Sequence, residues 1–154
     1  MRGVADRPRC YVASPLGFSP ATRGWYAAEF LPALAPLIEP VDPWGLTSEA
    51  EVADAIAAGR ERELWREVGR RNIAAIDSCE LLVAHLDGQE VDSGTASEVG
   101  YASARGLICH GLRTDLRQAG ELGMPVNLQV VAFIEASGGA VHRTLDDLLA
   151  ALAS

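Results

Sequence analysis

Glu80-Leu81-Leu82-Val83-Ala84-His85-Leu86, followed by Asp87-Gly88-Gln89-Glu90-Val91-Asp92-Ser93-Gly94, decides the fold. The first seven residues are almost all apolar, as a central parallel strand covered on both faces must be. The next eight are polar, acidic and glycine-containing, as a loop leaving such a strand is. Thr95 to Arg105 then reads as a helix. A strand buried on both sides, a loop and a helix make one unit of a layered α/β sheet.

The same pattern recurs on either side. Cys10-Tyr11-Val12-Ala13 reads as a first strand, ended by Ser14-Pro15-Leu16-Gly17. Pro20 to Leu34 reads as a helix with Trp25, Phe30, Leu31 and Leu34 for its core face, and Pro32 blurs its end. Pro36 to Val41 reads as a second strand, closed by Asp42-Pro43-Trp44-Gly45. Ser48 and Glu51 form a capping box. Gly59 interrupts that helical stretch. The next helix runs to about Asp77, with Leu64, Trp65, Val68, Asn72 and Ile76 on one stripe. Leu107 to Leu112 reads as a fourth strand, Val126 to Ile134 as holding a fifth, and Leu145 to Leu152 as a closing helix. Strands separated by helices predict right-handed crossovers and a doubly wound, mostly parallel five-stranded α/β sheet with helices on both faces. The 154 residues fit one domain spanning 1–154. Ligands of such sheets bind outside the carboxyl ends of the strands. The loops that matter are therefore Ser14–Ser19, Asp42–Gly45, Asp87–Gly94 and Arg113–Gly120.

Composition excludes several classes. The net charge of −8 disfavours a nucleic-acid partner. No apolar run approaches the ~20 residues that span a bilayer, so no membrane partner is expected. Met1 to Cys10 carries three arginines and no apolar stretch, unlike a secretion signal, and a cytoplasmic location is expected. All 13 basic residues are arginine, which rules out a Schiff-base lysine and a phosphate-loop lysine. Cys10, Cys79 and Cys109 lack metal-ligand spacing and read as buried thiols in a reducing compartment. The three histidines also lack metal-site spacing, and His85, inside the apolar strand, reads as a satisfied core residue. No metal or organic cofactor is expected. Arg113-Thr114-Asp115-Leu116-Arg117 reads most simply as a solvated charged turn, or, since it follows a strand exit, as a segment that meets a ligand or a neighbouring chain.

The chemistry concentrates in the loop after the central strand. Asp87, Glu90 and Asp92 leave the strand end, and Glu98 follows on the next helix. Paired carboxylates suit cleavage of a glycosidic bond, one attacking the anomeric carbon and one handling a proton. Amides at the helix start would favour an ionised Glu98. A plainer role fits equally: Thr95-x-x-Glu98 is also a capping box, and Asp92 is an anion in front of a helix. Tyr11, near the exit of the first strand, reads as core or as a site residue. Phe18 and Trp44, at two strand exits, read as packed loop aromatics or as a surface on which a base stacks. Asn72 interrupts an apolar stripe, either satisfied within the fold or facing a subunit partner.

Several of these segments together resemble the nucleoside 2-deoxyribosyltransferase family. They are Tyr11 to Phe18, Leu86-Asp87-Gly88, Asp92 to Ala102, Gly111 to Arg117 and Val126-Asn127-Leu128, and the resemblance runs roughly from Cys10 to Ile134. It implies a flavodoxin-like sheet and a retaining double displacement, in which a glutamate attacks C1′ of a 2′-deoxynucleoside, expels the base and passes the sugar to a second base. On that resemblance Glu98 matches the nucleophile and Asp92 an aspartate that contacts base or sugar. Tyr11 matches the tyrosine bonded to the nucleophile. Asn127 matches a residue near the 5′-hydroxyl, often across a subunit interface. Where the family has an Ala-Asp-like pair, this chain has Cys79-Glu80, so Glu80 or the nearby Asp77 stands as base-side proton donor beside Asp92. Ser14, Phe18, Trp44, Asp87 and Gly94 complete the candidate substrate contacts. The expected partners are small-molecule nucleosides and free nucleobases, together with further copies of the chain in a homo-oligomer with shared sites. Two alternatives remain: an N-glycoside hydrolase of nucleosides or nucleoside 5′-monophosphates, and a non-catalytic nucleotide-binding sensor. Apart from Ser93, no serine or basic cluster beside the acidic loop offers a phosphate pocket.

Overall fold

The computed structural model describes residues 7–154; residues 1–6, most of the arginine-bearing start, lie outside it. Five strands form one sheet: β1 (Arg9–Ala13), β2 (Glu39–Val41), β3 (Leu81–His85), β4 (Ile108–Leu112) and β5 (Val141–His142). Their order is β2-β1-β3-β4-β5, and every pairing is parallel. The chain winds outward from β1 in both directions, which is the flavodoxin-like doubly wound arrangement.

Alternation along the strands builds two cores. Tyr11, Ala13, Leu82, Ala84 and Cys109 face one layer, where they meet Ile76 of α4 (Glu61–Asp77), Val99 and Ala102 of α5 (Ser93–Ala104), and Val130, Val131 and Ile134 of α6 (Leu128–Ala136). Cys10, Val12, Val83 and Leu112 face the other. There they meet Tyr26, Phe30 and Leu34 from the helical segment after β1, and Leu148 of α7 (Leu145–Ala153). Because β1 and β3 are covered on both faces, they can carry no polar side, which explains their unbroken apolar runs. Burying each leucine of these strands contributes about 1.5–3 kcal/mol.

Three expectations are corrected. Val126 to Ile134 is not a strand. Asn127 caps a helix there, its side chain accepting from the Gln129 N–H, and Val130, Val131 and Ile134 form a helical stripe into the core. A short apolar run does not distinguish the two periods. The fifth strand is instead the two-residue β5, which follows Gly138-Gly139. Pro20 to Leu34 is helical throughout but not regular. Between α1 (Pro20–Trp25) and α2 (Leu31–Leu34), Tyr26–Phe30 form a widened π turn, in which Leu31 N–H reaches Tyr26 O just before the donor-less nitrogen of Pro32. The second strand begins at Glu39 rather than Pro36, because Leu37 and Ile38 still donate to Leu34 O at the helix end. The Ser48–Glu51 capping box opens α3 (Glu49–Ala57) as expected.

Candidate active site

Glu98 lies in the second turn of α5, and its carboxylate accepts a 2.7 Å hydrogen bond from the Tyr11 hydroxyl. Tyr11 sits on β1 with its residue wholly buried, so its ring packs in the core while its oxygen reaches the helix. Tyr11 is thus a core residue that also contacts Glu98. Glu98 caps nothing. The cap of α5 is Asp92, whose Oδ2 accepts from Thr95 N at 2.9 Å and from Thr95 Oγ1 at 3.2 Å. The helix thus starts at Ser93, which moves Glu98 out of the first turn and away from the end amides expected to hold its charge. Burial pushes the Glu98 carboxyl above the usual range, the Tyr11 hydroxyl pulls it back, and nearby Asp92 adds to the rise. The carboxylate is held by one hydroxyl in a partly dry setting, rather than by the helix dipole.

A second acid–tyrosine pair stands beside the first. Tyr26, from the π turn, donates to Asp42 Oδ1 at 2.8 Å, and the same oxygen accepts from Trp44 N at 3.1 Å. The charge of Glu98 contributes to raising the Tyr26 hydroxyl, and that of Asp42 to raising Tyr11, after burial as the main cause in each. Two phenols and three carboxylates thus lie near enough to feel one another's charge, around the exits of β1 and β2. Tyr26 and Asp42 were not singled out from sequence. A helix-face tyrosine and a loop aspartate carry no local signature of meeting.

The loop after β1 packs against the loop after β2. Trp44 Nε1 donates to Ser14 O at 3.1 Å, and Ser14 Oγ accepts from Leu16 N at 3.2 Å. The indole lies flat over Gly17, where a Cβ would come within 2.4 Å of Trp44 Cε2. Phe18 meets Trp44 edge-on at 4.5 Å between ring centroids. Phe18 is 73% exposed and Trp44 37%, so the pair presents an aromatic surface to solvent. Gly94 lies beside the Asp92 carboxylate, where a Cβ would stand 3.1 Å from Oδ2.

The remaining candidates are placed elsewhere. Asp87 is engaged in the scaffold, its carboxylate accepting from Thr114 N (2.6 Å), Asp115 N (2.9 Å) and the Thr114 hydroxyl. Asn127 caps α6 on the surface. Glu80 is exposed at the amino end of β3, roughly 16 Å along the strand from its carboxyl end. Asp77, its possible substitute, bonds Tyr101 and Arg105, each at 2.9 Å. Neither acid joins Glu98. Asn72 is part-buried on α4, and its Oδ1 is fully enclosed with no partner among the described residues. His85 is buried as expected but not satisfied: Nε2 lies 3.5 Å from Asp87 Oδ2, and Nδ1 has no partner among the described residues. Arg113 is not solvated at all; its residue is fully buried.

A cleft of about 500 Å³ opens between Gln89, Glu90 and Gln118–Gly120, and Glu98 is not in its walls. Acid–base chemistry, not cavity size, marks the site. Among the described residues no group of three or more His, Cys, Asp or Glu could hold a metal, and no helix is long and apolar enough to cross a membrane.

Residues 10–130 match the family model described as nucleoside 2-deoxyribosyltransferase. Among solved structures, a conserved protein from Enterococcus faecalis V583 is 25% identical with a TM-score of 0.67, over 95% of this chain and 97% of that one. A 2-deoxyribosyltransferase from Bacillus psychrosaccharolyticus superposes with a TM-score of 0.67 at 17% identity, over 92% and 90% of the two chains. A CMP N-glycosidase from Clostridium botulinum gives 0.54 at 16% identity, over 92% and 94%. No curated protein matches.

Proposed function

Because the chain belongs to the nucleoside 2-deoxyribosyltransferase family, we propose that it exchanges the base of a 2′-deoxynucleoside by a retaining double displacement through Glu98. The observation that carries this is the 2.7 Å bond from Tyr11 to a part-buried Glu98 at the carboxyl end of the sheet. A glycosidic nucleophile must be ionised, aimed and poorly solvated. Tyr11 holds one carboxylate oxygen and so fixes the direction of the other.

In the first step Glu98 attacks C1′, the C1′–N bond breaks, and its electron pair stays on the base nitrogen. That nitrogen takes a proton from water, and Asp92 contacts the departing base or the sugar. Asp92 Oδ2 is committed to the cap, which leaves Oδ1 to face sugar or base. A second base then attacks the deoxyribosyl ester from the face the first one left, gives up its proton and frees Glu98. Two inversions retain configuration. Phe18 and Trp44 offer the surface on which a base stacks, and Ser14 and Gly94 shape the loops around it. Glu80 takes no part. The site needs no organic cofactor for these steps. Asn127 and the exposed Leu122 and Leu128 near it fit a homo-oligomer in which a neighbouring copy closes the crevice.

The test is incubation with a 2′-deoxynucleoside, with and without a second free base. Exchange predicts base release that depends on acceptor and is abolished by Glu98→Ala in a folded protein. Equal release without acceptor means transfer to water, and tight binding without release means a sensor. Full activity in Glu98→Ala contradicts the mechanism.

A further inference from the structure

Arg113 follows β4 directly, and its guanidinium is shut away from solvent. Among the described residues no carboxylate lies within ion-pair distance of it. Instead Nη1 donates to Leu86 O and to Gly88 O, both at 2.7 Å, and Nη2 donates to Arg117 O at 2.9 Å. Removing a cation from water costs several kcal/mol unless its hydrogen bonds are replaced, and here backbone carbonyls accept three of them, while the buried Nε has no partner among the described residues. Leu86 N still pairs with Leu112 O at the last rung of the sheet. The Leu86 and Gly88 carbonyls lie beyond that rung and need a donor if they are buried. A planar fork with five N–H groups serves all three carbonyls from one side chain, as no other residue could.

The contact runs in both directions. Arg113 reaches from the β4 loop into the β3 loop, and Asp87 reaches back to Thr114 and Asp115. Gly88, between them, has φ +131, and a Cβ there would meet Glu90 O at 3.0 Å, so the turn is both special and tightly held. Four residues later the same loop ends on Asp92, the cap of the helix that carries Glu98.

We infer that Arg113 is a positioning residue, which clamps the Leu86–Gly88 turn so that Asp92 and Glu98 stand at a fixed place relative to Tyr11. The inference rests on the proposed base exchange for its kinetic part and on geometry alone for the clamp. A small displacement of a catalytic group can cost about 100-fold in rate.

The test pairs steady-state kinetics with hydrogen exchange on the full chain. Arg113→Lys keeps the charge but cannot meet three carbonyls at once. Amide exchange should rise about tenfold or more at Leu86, Thr114 and Asp115, whose N–H groups bond Leu112 O and the Asp87 carboxylate, while Leu82–Ala84 in β3 stay protected. In the exchange assay kcat should fall about 100-fold with little change in KM. Wild-type kcat with an unchanged loop overturns the inference. So does exchange that rises equally in loop and strand, which marks a merely structural role. If Arg113→Lys does not fold, Gly88→Ala strains the same turn without touching the arginine. The same local signature then supports the clamp, and wild-type values overturn it. If the wild-type protein exchanges no base, the proposed function fails, while loop protection still decides the clamp.

Discussion

Glu98 and Tyr11 set the pH behaviour of the site. The proposed attack requires the Glu98 anion, and burial followed by Asp92 opposes that anion while Tyr11 favours it. The acid limb of kcat/KM should therefore lie above the ordinary carboxylate range. Tyr11→Phe removes the only stabilising contribution among these causes, so the limb should move to higher pH. A hydrogen bond to a charged group contributes about 1.5–3 kcal/mol, so kcat/KM near neutrality should fall about tenfold or more. A limb that stays in place in Tyr11→Phe contradicts this role. The same shift has a sign for stability. A carboxyl raised in the folded state binds more protons there than in the unfolded chain. Its cost to stability appears as pH climbs from the unfolded value through the folded one, and is fully present above both. Glu98→Gln should thus melt at the same temperature as wild type or higher at pH 7, while losing exchange. A clear loss of stability would make Glu98 a structural residue.

At the scale of elements, two loops make the aromatic wall, and one glycine sets their spacing. Gly17 lets the Trp44 indole lie against backbone while Nε1 holds Ser14 O. Gly17→Ala should cost about 1–3 kcal/mol by overpacking and push the indole outward. Denaturant unfolding measures the first effect, and a raised KM for nucleoside would report the second. A neutral substitution would show that the loops separate freely. The elements also show what sequence can reveal. β1 and β3 were legible because burial on both faces leaves an apolar run. β5 was not, because a two-residue edge strand buries too little to impose a pattern. Val126 to Ile134, apolar and containing Val and Ile, mimicked a strand, and only the cap at Asn127 marks it as a helix. Arg113-Thr114-Asp115-Leu116-Arg117 looked solvated because nothing local announces that three distant carbonyls will enclose Arg113.

The whole molecule brings these parts to one edge. Its parallel sheet points every strand exit in one direction, so loops distant in sequence converge there. This brings Glu98, Asp92 and Tyr11 together on the side of the sheet where the sequence led us to expect a site. It also separates Glu80 from them. Its carboxylate is the right chemistry at the wrong end of β3. Asp42 and Tyr26 needed the fold, since they meet across a layer rather than along the chain. The most direct measurement is mass spectrometry of the protein quenched shortly after mixing with a 2′-deoxynucleoside, followed by peptide mapping. Double displacement predicts a deoxyribosyl adduct on the peptide containing Glu98, lost in Glu98→Ala and discharged by a free base. Base release with no adduct, or an adduct on another residue, would contradict it.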